Sequence, residues 1–188
     1  MDESTEVSRR GFIAAIAAGT VGAWLAAHAH ELEAAARLAA EGGDEWMVLT
    51  AEQAALVDAV TAQILPSDGT PGAREAKVVR FVDRSLATWA KEQHDDFARG
   101  CAHLAAYTAK TVPGATSFAS LTGEQQLAVL KAYEKEQDGY FGLFRFFTIA
   151  GMFTMPSYGG NAGETGWKLI GFEPRFAWTP PFGWYDRA

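Results

Sequence analysis

Tyr140-Phe-Gly-Leu-Phe-Arg-Phe-Phe-Thr-Ile-Ala-Gly-Met-Phe-Thr-Met155 is the stretch on which the fold turns. Arg145 is its only charge, and no period-two alternation runs through it, so it does not read as a half-buried strand. A helix apolar on nearly all sides is buried in an interior or lies against another surface. At about 16 residues it falls short of the ~20 that span a bilayer.

Upstream, the helical period recurs. Thr50 with Gln53 forms a capping-box signature, and Leu56, Val57, Val60 and Ile64 follow at helical spacing until Pro66-Ser-Asp-Gly closes the element. A second helix is predicted to open near Pro71 and to present Val78, Val79, Val82, Leu86 and Trp89 on one side. A third, over 94–110, offers Phe97, Cys101, Leu104 and Ala105 and stops at Val112-Pro113-Gly114. Thr122 with Gln125 repeats the capping signature ahead of Leu127, Leu130 and Tyr133. There is no strand signal of useful length and no internal repeat. The expected class is all-α, a small helical bundle over residues 49–155.

Downstream the character changes. Residues 156–188 are punctuated by Gly and Pro and rich in rings, and 14 of the 23 aromatic residues fall in the last 49 positions. An irregular, extended tail cannot bury so many rings within itself, so it needs the bundle or a second protein to cover them.

Residues 1–29 read as an export signal. Ser8-Arg9-Arg10-Gly11-Phe12-Ile13 precedes an uncharged Ala/Gly-rich run that ends in Ala27-His28-Ala29, a small-residue cleavage layout. The paired arginines make it resemble a twin-arginine signal, with Arg9, Arg10 and Phe12 as its core. The alternatives are a retained membrane anchor or simply an Ala-rich helix, although Gly11–Ala27, at 17 residues, is shorter than the ~20 that span a bilayer comfortably. Residues 30–48 read as a lead-in helix and linker, broken by Gly42-Gly43.

Composition excludes several function classes. Sixteen Lys and Arg against 23 Asp and Glu give a net charge of −7, which argues against nucleic acid as a partner. One Cys makes neither an internal disulfide nor a thiolate cluster. His94 and His103 lie nine residues apart on one predicted helix, about 13.5 Å at ~1.5 Å per residue, too far to share a metal. Cys101 reads as a buried inert thiol, with a covalent link to a partner or a place near a partner's cofactor as alternatives. Asp95-Asp96 suits a helix N-terminus, and Glu134-Lys135-Glu136 a solvated face. Gly159–Gly166 lacks the spacing of a phosphate cradle and the Lys-Ser/Thr pair, and reads as a turn-rich loop. No catalytic residue, no metal ligand and no cofactor site is expected in this chain.

An export signal suited to cofactor proteins thus precedes a chain without a cofactor site. The segment Gly151-Met-Phe-Thr-Met-Pro156-Ser-Tyr-Gly-Gly-Asn161, continuing to Gly166-Trp-Lys-Leu-Ile-Gly171-Phe172, resembles the signature of the gluconate 2-dehydrogenase subunit 3 family. These are small subunits of bacterial flavin-dependent sugar and alcohol dehydrogenases. The resemblance extends to Arg9-Arg10, to the Ile64-Leu65-Pro66 helix end and to Gly72–Asp83. It is tight over 151–172 and loose over most of the remaining mature chain.

The resemblance implies a non-catalytic small subunit. Such a subunit stabilises a large FAD-containing subunit of the glucose–methanol–choline type and supplies its twin-arginine signal for passage to the periplasm. The FAD sits in that partner, with c-type haem or an iron–sulfur cluster elsewhere in the complex; a multihaem cytochrome c is a common third subunit. The Phe-rich helix, through Phe144 and Phe147, and the loop, through Tyr158, Gly159, Gly160, Asn161 and Trp167, then become expected partner contacts. Trp178, Phe182 and Trp184 belong to a tail that embraces the partner. The alternatives are an autonomous periplasmic sugar-binding or oxidoreductase protein, and an anchoring subunit that keeps its N-terminal helix.

Overall fold

The structure, a computed structural model, describes residues 45–175. All of them belong to one compact unit of the chain, Asp44–Ala188. Among the described residues there are six α-helices and no strand, so the architecture is all-α. Helix α1 is Ala51–Ile64, α2 Val78–Ala87, α3 His94–Thr111, α4 Gly123–Glu136, α5 Asp138–Phe153 and α6 Thr165–Leu169. None of the described helices is long and apolar enough to cross a membrane.

Local chemistry sets the helix starts. Thr50 Oγ1 accepts from the Gln53 amide at 3.1 Å while Gln53 Oε1 accepts from the Thr50 amide at 2.9 Å. The pair Thr122 and Gln125 does the same for α4. Each box satisfies two amides that a helix start would otherwise leave open. The second helix departs from expectation: turns occupy residues 73–77, Lys77 takes φ 54°, and α2 begins only at Val78. The turns are held by the Ala73 amide on the Leu65 carbonyl, an approach so close that a Cβ on Gly72 would strike that carbonyl.

α5 is the hub, packing on α1, α2, α3, α4 and α6. Phe97 of α3 meets Phe144 and Phe147 edge-on, with centroids 5.3 and 5.5 Å away. Val57, Val60, Val82, Leu86, Leu104 and Tyr133 complete the interior. Two expected stripe positions lie elsewhere. Trp89 falls beyond the end of α2 and is largely exposed, and Leu127 is also exposed. In the place expected for Leu127, Gln126 is buried: its amide accepts from Gln63 at 3.0 Å and donates to the carbonyls of Phe118 and Leu121. A buried amide is tolerated there because both of its ends are bonded.

The segment entering α1 is fastened to α2. The buried Asp83 carboxylate accepts from the amides of Met47, Val48 and Leu49 at 2.8–3.0 Å. Arg80 adds a bond to the Glu45 carbonyl and stacks over Trp46, 3.9 Å from the ring centre. Charge-assisted bonds to three amides make this a strong tie.

Candidate functional site

The loop after α5 is built as a closure for that helix. The last carbonyls of a helix lack intrahelical partners, and here the loop supplies them. The Asn161 amide donates to the Gly151 carbonyl at 2.8 Å, and Asn161 Nδ2 donates to the Thr154 carbonyl at 2.8 Å. Trp167 Nε1 donates to the Phe153 carbonyl at 2.9 Å, and Asn161 Oδ1 accepts from the Gly166 amide at 2.7 Å. Asn161 sits at φ 45°, a left-handed position that Asn tolerates better than most residues. A Cβ on Gly160 would run into the Gly151 carbonyl, and one on Gly166 into the Met152 carbonyl. The Ala162 amide, on the Ala76 carbonyl at 3.1 Å, ties the loop to the turn before α2.

This geometry redistributes the expected contact residues. Phe144 and Phe147 are 2% and 0% exposed and pack in the core. Gly160 and Asn161 are buried in the closure. Tyr158 is exposed, while Gly159 and Trp167 are partly so. Trp178, Phe182 and Trp184 lie outside the described residues, as do Arg9, Arg10 and Phe12.

The open apolar surface lies one step around α5. Phe146 is 52% and Ile149 47% exposed, and the half-buried Phe153 continues the row at i, i+3, i+7. From Phe153 the surface passes to Trp167 through the indole bond, then to Phe172, whose ring is 5.2 Å from that indole. Trp89, 55% exposed, leans on Phe147 from the α2 side at 6.1 Å, as Phe146 does at 5.4 Å. The expected contacts Phe144 and Phe147 face the core, next to this exposed row. The available signal was the i, i+3, i+7 spacing on a helix whose other face was also apolar.

A family model described as gluconate 2-dehydrogenase subunit 3 matches residues 51–174, from the first residue of α1 to beyond the end of α6. The chain belongs to the gluconate 2-dehydrogenase subunit 3 family. No curated protein and no solved structure matches the chain. Within the family's span lies the α5 closure, so the segment that first suggested the family is a structural device: its Gly and Asn residues end a helix. Family membership makes the chain a small subunit of a dehydrogenase complex.

The titratable groups of this family member are placed for structure. Cys101 is buried, and burial pushes its thiol up to about 12, so at neutral pH it is protonated and a poor nucleophile. It borders a groove of about 670 Å³ between α1, α3 and residues 115–119, walled by Ala55, Ala98, Ala102, Ala105 and Ala109. His103 Nδ1 lies 3.3 Å from the Tyr133 hydroxyl, whose pKa burial raises. His94 sits beside Asp95. Among the described residues no three His, Cys, Asp or Glu cluster as metal ligands.

Proposed function

We propose that this chain is the non-catalytic small subunit of an exported, FAD-dependent dehydrogenase of the glucose–methanol–choline type that oxidises a sugar, glycoside or sugar acid. It stabilises the flavoprotein and provides the twin-arginine signal that carries the pair to the periplasm. The observation that carries this reading is the family match over residues 51–174. The Ser8-Arg9-Arg10-Gly11-Phe12 sequence supports the export role. The exposed aromatic row of α5 supports a subunit role, because a patch of this kind marks an interaction surface. FAD belongs to the large subunit, and electrons leave through a haem- or iron–sulfur-bearing partner.

The test is co-expression of the full chain with the large subunit, followed by fractionation. Arg9→Lys with Arg10→Lys should leave both proteins and the dehydrogenase activity in the cytoplasm. Unchanged periplasmic activity contradicts the export role.

A further inference from the structure

The outer face of α5 is apolar where a helix of a lone domain would be polar. Phe146 and Ile149 stand about half open to solvent, the partly buried Phe153 follows them along the helix, Trp167 Nε1 bonds the Phe153 carbonyl, and the Phe172 ring lies 5.2 Å from that indole. Half-exposed side chains of this size offer on the order of 100 Å² each. Trp89, Leu169 and Ile170 are exposed as well.

Charge bears on what covers it. Arg145 stands between Phe144 and Phe146 and is exposed. Arg84 lies folded over Gly159, beside the exposed Tyr158, where a Cβ on the glycine would be 2.8 Å from its guanidinium. Neither arginine has a carboxylate within ion-pair distance among the described residues, in a chain that carries −7 overall. Exposed apolar side chains beside an arginine with no carboxylate partner among the described residues, as at Phe146, Ile149 and Arg145, have the composition of an interface hot spot.

We propose that the large dehydrogenase subunit docks on this outer row of α5. Its docking face is apolar at the centre and places carboxylates opposite Arg145 and Arg84. This rests on the small-subunit reading and names the surface that serves it. A second copy of the chain fits less well, because a two-fold contact sets the same patch against itself and brings arginine to arginine. A lipid surface fits less well too, since an interfacial helix carries a polar face rich in Lys and Arg.

The full chain is tagged and co-expressed with the large subunit, and the retained subunit is read by mass and by flavin absorbance. Phe146→Asp and Ile149→Asp should each lower retention about tenfold or more, with the melting temperature of the free chain unchanged. Arg145→Glu should lower retention several-fold, and Arg145→Lys should restore most of it. Ala102→Glu, in the groove between α1 and α3, should retain the subunit as wild type does. Wild-type retention by Phe146→Asp and Ile149→Asp, or an equal loss in Ala102→Glu, overturns the assignment of the surface while leaving the small-subunit reading intact. A wild-type chain that retains no large subunit overturns both. Light scattering that shows a dimer abolished by Phe146→Asp, or phosphatidylglycerol vesicles that bind only wild type, overturns the assignment if the large subunit is still retained.

Discussion

Phe146 and Phe147 are neighbours on one helix with opposite surroundings. Phe147 is sealed between Phe97, Trp89 and the rest of the core, whereas Phe146 is half in water. The inner row of α5 holds the bundle together, and the outer row leaves its rings uncovered. A helix apolar on both sides therefore has two faces, one packed into the fold and one open to solvent. Hydrophobicity alone does not separate them; the packing of α2 and α3 on one side does.

The sharpest way to break this contrast is to truncate the inner row. Phe147→Ala should destabilise the chain by about 3–5 kcal/mol, through lost transfer energy and the cavity left behind. Denaturant unfolding of the full chain measures it, and a loss below about 1 kcal/mol would make the two rows equivalent. Gly160→Ala should cost about 1–3 kcal/mol, because the new methyl meets the Gly151 carbonyl and forces the closure apart.

Cys101 tests the interior by pH. The unfolded thiol loses its proton near 9.0 and the folded one only near 12, so the folded chain binds more protons in that window. Its contribution is constant below pH 9 and declines as the pH rises, by up to about 1.4 kcal/mol per unit. Cys101→Ala should remove that share of the alkaline loss in unfolding curves taken at pH 8 and 10.

The smallest effects belong to the open side. Gly142 is in mid-helix with no side-chain neighbour within 4 Å of an added Cβ, so Gly142→Ala should stabilise by about 0.5–1 kcal/mol. Phe146→Asp should change stability by under about 0.5 kcal/mol. A large drop in melting temperature for Phe146→Asp would place that residue in the core and erase the contrast.

What could be read from sequence follows from the range of each interaction. The capping boxes at Thr50 and Thr122 are three-residue patterns, and both form as the spacing predicts. The apolar identity of α5 was equally plain, but its orientation was not: with Phe at 144, 146 and 147, a one-dimensional pattern cannot mark which ring faces in. Trp89 kept the helical spacing of Val82 and Leu86, yet the helix stops before it. Asp83 sits within an apolar helix and gave no signal, because its partners are amides 34 to 36 residues upstream. Asn161 and Gly160 stood out in the sequence as a motif, which invited a role in binding. Asn161 satisfies the carbonyls of Gly151 and Thr154, and Gly160 leaves room for that close approach, a use that only the folded chain displays.

Oxidative footprinting of the full chain, free and bound to its large subunit, tests the central claim most directly. Trp89, Phe146 and Met155 are all more than half exposed in this chain. The account predicts that Phe146 and Trp89 oxidise readily in the free chain and are shielded about tenfold or more in the complex. Phe144 and Phe147 should remain unreactive in both. Undiminished oxidation of Phe146 and Trp89 in an intact complex, with shielding confined to the groove between α1 and α3, would contradict it.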